Sequence, residues 1–234
     1  MCQVKESHPS TTNSKGVFVL EQTANSITHG MFIPTSIYLL YKFCSLSKSD
    51  ADLFNAWVYG IALIVLFGVS TLYHCSCLTQ KTNLIEFLRI SDHATIFLFI
   101  AASYTPWVTI AGYDIDATHY VIPLWSLAAF GIFFSFYTRA LTHHGFELCM
   151  YIAEGLLPAL FLIWQVGFRP ELYDVAVGGF FFLSGIIFFR LDGTLPFAHA
   201  IWHIFVFLGT YYHSTALVEL LIRNSKEFLH PHGV

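Results

Sequence analysis

The chain has 234 residues, 56% of them hydrophobic and only 11% charged, with a formal net charge of −4 and a mean hydropathy of +0.62. Soluble domains carry about 25% charged residues, so this composition cannot coat a water-facing surface and excludes an ordinary soluble domain. No basic block exists, which argues against nucleic acid as a partner, and five scattered cysteines (Cys2, Cys44, Cys75, Cys77, Cys149) do not make a secreted disulfide framework.

The opening stretch, MCQVKESHPSTTNSKG, has no apolar centre and does not read as a cleaved signal peptide. Residues 1–24 are expected to form a polar N-terminal tail, 25–222 one membrane domain and 223–234 a C-terminal tail. Seven apolar segments follow in order, near 25–43, 55–75, 92–111, 119–137, 146–165, 175–190 and 197–222. Most approach the roughly 20 residues that carry a helix across about 30 Å of hydrocarbon. Backbone groups in lipid must be satisfied within their own segment, which selects helices, and the runs are too long for barrel strands. The connections KSDAD, QKTN, GYDID, TRALTHH, GFRPELYD and RLDGTLP are short and polar, so neighbouring helices should be antiparallel. The expected fold is all-α: a polytopic membrane protein with a seven-transmembrane-helix bundle. Pro34, Pro106 and Pro158 fall inside apolar runs and are expected to bend their helices. Gly131, Gly178, Gly179 and Gly185 are expected to admit close helix contacts.

Orientation is weakly encoded. The N-tail side would hold Lys5, Lys15, Lys81, Arg89, Arg139 and Arg190; the other side would hold Lys42, Lys48, Arg169, Arg223 and Lys226. That balance barely favours a cytosolic N-terminus under the positive-inside rule.

Ionisable groups within membrane segments are costly and mark function, and here they are not scattered. Ser70 and His74 lie four apart near the end of the second segment, Asp92 and His93 open the third, and His199 and His203 lie four apart at the start of the seventh. A spacing of four puts two side chains on one helical face, about 6 Å apart along the axis. Alternating crossings then bring His74, Asp92, His93, His199 and His203 to a similar depth in one leaflet. His74, His199 and His203 together make a three-histidine site for Zn2+ with an open fourth position, the arrangement of a catalytic zinc. Asp92 could orient or deprotonate a water there, and Ser70 could hydrogen-bond the water or a substrate oxygen. His213 lies fourteen residues beyond His199, about 21 Å along a helix, and cannot share the metal. His93 suits a supporting or interhelical role, His29 a capping or packing role, and Cys75 and Cys77 offer a rival thiolate pair or lipid-facing, acylated positions. Glu154 falls mid-segment and demands a partner or a wet cavity.

The motifs EQTANSITHG (21–30), STLYH (70–74), DH (92–93), IAASYTPW (100–107) and LPFAHAIWHIFV (195–206) resemble the progestin and adipoQ receptor family. That family includes the adiponectin receptors, the hemolysin III-type proteins and the monocyte-to-macrophage differentiation proteins, and the match is nearest to the last two branches. The resemblance covers about residues 21–222. It implies seven helices, a cytosolic N-terminus, and a zinc held by one histidine of helix 2 and two of helix 7, with an aspartate and a serine nearby. Those roles fall on His74, His199, His203, Asp92 and Ser70. The long N-terminal region of the adiponectin receptors is missing here, so their protein-hormone recognition is not carried over.

The expected function is receptor-like signalling in a membrane around an intramembrane zinc site. The alternative is a ceramidase-like zinc hydrolase of a lipid amide, and a pore ranks last because no pore-lining polar stripe is present. The lipid bilayer, with a lipid substrate or ligand, is the expected partner. An odd number of crossings places the two termini on opposite sides, so epitope tags at the two ends should become accessible from different faces under selective permeabilisation. Both tags on one face would remove a crossing and separate the histidines by the thickness of the bilayer.

Overall fold

The computed structural model describes residues 12–79, 82–137 and 144–229. These residues form eight α-helices and no strand: α1 Thr12–Gly30, α2 Ile33–Leu46, α3 Asp50–Thr79, α4 Thr82–Thr109, α5 Thr118–Tyr137, α6 His144–Val166, α7 Tyr173–Arg190 and α8 Ala198–Leu229. A short 3-10 turn at Pro170–Leu172 precedes α7. The chain is an all-α integral membrane protein. Among the described residues α3, α5, α6, α7 and α8 are long and apolar enough to cross a bilayer. The other two expected segments fall on α4, which mixes Asp92, His93, Thr105 and Pro106 into its apolar stretch, and on the α1–α2 pair.

Three boundaries differ most from expectation. The first helix starts at Thr12, well inside the stretch expected as a tail, and α8 runs to Leu229, past residue 222. Helix α1 is inside out: Gln22, Asn25 and His29 are buried, whereas Val19, Leu20 and Ile27 are exposed. Exposed apolar groups cost nothing in lipid, so a helix with a polar inner face escapes a search for uniformly apolar runs. Pro34 does not bend a continuous helix. It sits at the first turn of α2, after a break at residues 31–32 that the Phe32 N–H partly bridges by bonding His29 O. The third expected segment likewise begins ten residues earlier, at Thr82, so Asp92 lies within α4 rather than at its start. The expected polar links at 80–83 and 138–144, together with residues 1–11 and 230–234, lie wholly or largely outside the described residues.

Helix α3 is the centre of the bundle, packed on α1, α2 and α4, while α4 leads to α5 and α7 packs along α8. Phe43, Tyr59, Leu63, Phe67, Leu217 and Leu221 are fully buried where α2, α3 and α8 meet. The end of the bundle away from the histidines is stitched by polar bonds. Ser49 and Asp52 cap α3, each accepting the other's backbone N–H, at 3.0 and 3.2 Å. The Asn224 amide donates to Asp52 Oδ1 and to Ile110 O, both at 3.0 Å, tying α8 to α3 and α4.

Of the expected close-contact glycines, Gly131 faces the Phe97 ring and Gly185 faces Trp202, while Gly179 has no atom within 4 Å of where a Cβ would sit. Gly178 is the tightest, since a Cβ there would fall 2.3 Å from His213 Cδ2 and 2.8 Å from Gly209 O. The carbonyl belongs to α8 backbone and cannot swing aside, so Gly178→Ala must push α7 from α8. We expect it to destabilise the fold by about 1–3 kcal/mol, visible as a lower thermal midpoint in detergent. Gly179→Ala, in open space, should leave the midpoint nearly unchanged.

Candidate metal and lipid site

His74 stands in the penultimate turn of α3, and His199 and His203 in the first two turns of α8. The start of α8 is pinned from α1: the Phe197 N–H donates to Glu21 Oε1 at 3.0 Å, with Phe197 in the left-handed region at φ 59°. The three rings converge. Ring centroids are 4.9 Å apart for His74–His199, 5.2 Å for His74–His203 and 4.6 Å for His199–His203. One ligand nitrogen from each lies within 4.8 Å of the others, so the three could hold a metal ion. Among the described residues this is the one such group; neither Cys75, which is exposed, nor buried Cys77 belongs to it.

Each imidazole is oriented by a group from a different part of the chain. His74 Nδ1 donates to Gln22 Oε1 at 2.8 Å, and His203 Nδ1 lies 2.9 Å from Thr28 Oγ1. His199 Nδ1 is 3.2 Å from Asp192 Oδ2, an ion-pair distance without hydrogen-bond alignment. Burial would raise the Asp192 carboxyl, but its neighbours, His199 first among them, hold it below the usual carboxylate range. A metal-binding imidazole characteristically gives its other nitrogen to a carboxylate, carbonyl or hydroxyl, which sets its tautomer. His74 Nε2 is buried with no partner of any kind, as expected of a donor awaiting an ion. The residues therefore fit a metal. Sequence patterns had not singled out Gln22, Thr28 or Asp192. The EQTANSITHG motif containing the first two entered the sequence reading as a mark of the family resemblance, with no role assigned to either residue.

The cluster forms the head of a cavity of about 430 Å³. Ser70, Asp92, His93, His199, His203 and His29 line that head, while its body is lined by apolar side chains of α4, α6 and α7, such as Ile152, Leu156, Ala176 and Phe182. Leu160, Phe180 and Leu183 line the cavity and are also exposed, so it reaches the outer surface between α6 and α7. The structure thus brings all five expected residues, His74, His199, His203, Asp92 and Ser70, to one end of the bundle. Ser70 Oγ is buried beside Asp92 without an aligned hydrogen bond.

His93 joins α4 to α6 through Glu147, with Nδ1 3.0 Å from Oε2. The Ser135 hydroxyl donates to Glu147 Oε1 at 2.7 Å, and the Tyr151 hydroxyl donates to His93 O at 3.0 Å. His213 takes no part in the cluster and bonds Val175 O through Nε2 at 3.1 Å. Glu154 is fully buried with neither carboxyl oxygen partnered, and it is absent from the cavity wall, unlike the wet setting expected for it.

The Haemolysin-III related family model matches residues 19–214. The chain is 34% identical to the monocyte to macrophage differentiation factor of Homo sapiens over 214 residues, covering 89% of this chain and 88% of that protein. It is 31% identical to the hemolysin-3 homolog of Bacillus subtilis, over 82% of this chain and 90% of that one. The hemolysin-3 of Bacillus cereus is 32% identical over 82% of this chain and 88% of its own length.

Glu147 holds the α4–α5–α6 corner through two buried bonds. Glu147→Ala should strand His93 and Ser135 and destabilise the fold by about 2–4 kcal/mol, while Ser135→Ala should cost about 1 kcal/mol. Chemical or thermal unfolding of the detergent-solubilised variants would measure both.

Proposed function

As this chain belongs to the haemolysin-III related family of membrane proteins, we propose that it is a zinc-dependent lipid hydrolase acting within one leaflet of the bilayer. The observation that carries this is an apolar cavity, open laterally between α6 and α7, that ends on three converging histidines with Asp92 and Ser70 beside them. With α1–α2 counted as one broken crossing and α4 as another, the chain crosses seven times. We place the N-terminus in the cytosol and the cluster in the N-terminal-side leaflet.

His74, His199 and His203 would hold the zinc through nitrogens left after Gln22, Thr28 and Asp192 engage the opposite ring atoms. Zinc in a three-imidazole site supplies Lewis acidity, which activates water and polarises a carbonyl near neutral pH. The cavity body binds an acyl chain by dispersion and excludes water from the head. A lipid amide or ester linkage lies between chain and headgroup, and so can reach the cluster while its headgroup stays at the interface. Asp92 takes the proton from the attacking water, and Ser70 donates its hydroxyl to the carbonyl oxygen as charge builds there.

Purified protein should contain about one zinc per chain. His74→Ala, His199→Ala and His203→Ala should each lose it, and His213→Ala should keep it. Asp92→Asn should keep the metal but abolish fatty-acid release from ceramide or ester lipids, and Ser70→Ala should slow release by about 100-fold. Zinc-loaded protein that releases no fatty acid from any such lipid in proteoliposomes would favour receptor-like signalling, with the cavity holding a lipid ligand that is not turned over.

A further inference from the structure

His29, in the last turn of α1, is the odd imidazole at the head of the cavity. It is buried and lines the cavity, and neither ring nitrogen has a hydrogen-bond partner. Its ring stacks on His203 with centroids 3.5 Å apart and planes 18° apart, and it meets Phe67 edge-on at 5.0 Å. Those two contacts fix the plane of the ring while leaving its nitrogens unmatched. By contrast His74, His93, His203 and His213 each bond a protein oxygen through a ring nitrogen at 3.1 Å or less, and His199 Nδ1 lies 3.2 Å from Asp192 Oδ2.

A neutral imidazole always carries one N–H donor and one acceptor, and a buried one with both unmatched is rare in a relaxed interior. Packing alone does not explain the residue, because phenylalanine or leucine would fill that space without stranding two polar atoms. Metal ligation does not explain it either, since the donor atoms that lie within 4.8 Å of one another come from His74, His199 and His203 and do not include His29. The remaining direction is the cavity. Ser70 Oγ, buried beside Asp92 without an aligned hydrogen bond, lines the same cavity head.

We propose that His29 is a substrate-binding residue whose ring N–H donates a hydrogen bond to the polar linkage of the lipid seated at the metal. This rests on the lipid hydrolase reading above. It narrows the ligand class, because a ligand that matches His29 and Ser70 must present hydrogen-bonding oxygen at the deep end of the cavity. An acyl amide or acyl ester does so, and a bare hydrocarbon end does not.

The test uses full-length protein in nanodiscs, loaded with Co2+ in place of zinc and titrated with palmitoyl hydroxamate, an acyl chain ending in a metal-binding polar group. Absorption bands of the cobalt ion report both metal occupancy and ligand arrival. His29→Phe retains a ring to stack on His203 but has no nitrogen. It should hold one metal per chain, show the wild-type spectrum before titration, and bind the hydroxamate about tenfold or more weakly. His29→Asn, which keeps an N–H, should recover part of that loss. If the phenylalanine variant fails to fold, the comparison of His29→Asn with His29→Leu replaces it, and equal affinities of that pair would overturn the proposal. So would wild-type affinity in His29→Phe, which makes the ring a packing element, or loss of cobalt from His29→Phe, which makes His29 a ligand. Wild-type protein that takes up cobalt but never responds to the hydroxamate would sink the lipid hydrolase reading itself, and this inference with it.

Discussion

Hydrocarbon offers no hydrogen bonds, so each polar side chain turned inward by α1, α3, α4 and α8 must find its partner inside the bundle or face a ligand. That constraint organises the histidine end. Gln22 and Thr28 come from α1, Asp192 from the α7–α8 connection, and each fixes one imidazole of the cluster. Glu21 holds the backbone at the start of α8. The first helix is thus a polar wedge against α3 and α8, with its apolar residues facing outward.

The two ends of the molecule obey the same constraint in different ways. At the far end Asp52, Asn55, Thr109 and Asn224 satisfy one another and nearby backbone groups, which makes a tight corner between α3, α4 and α8. At the histidine end His74 Nε2, Ser70 Oγ and both nitrogens of His29 are buried without an aligned hydrogen bond. Under the proposed function these groups would be satisfied by the metal and the lipid linkage. Glu154 is a separate matter, since its carboxyl is stranded away from the cavity wall and nothing in the structure explains it.

Helix packing sets the shape of the cavity. Helices α7 and α8 come close at Gly178 and Gly185, and α3 is wrapped by three neighbours, which leaves α6 as the loosely held side. The cavity wall continues there onto exposed Leu160, Phe180 and Leu183. Under the proposed function, a lipid would enter through it by lateral diffusion in the membrane.

Much was legible from sequence alone, for reasons of length and period. Apolar runs sized to a bilayer announce an all-α membrane protein, since they are too long for barrel strands and only a helix satisfies its backbone within one segment. A spacing of four places His199 and His203 on one face, and alternation of direction puts them at the depth of His74 and Asp92. What the sequence could not decide was lateral. Depth is set by counting crossings, but which helices are neighbours depends on how small residues and bulky rings interlock around α3. So the contribution of α1 went unseen, because Gln22, Thr28 and His29 sit in a stretch whose polar face has meaning only against α3 and α8. The same holds for His93: its bond to Glu147 joins residues 54 positions apart, and only the packing of α4 on α6 brings them together.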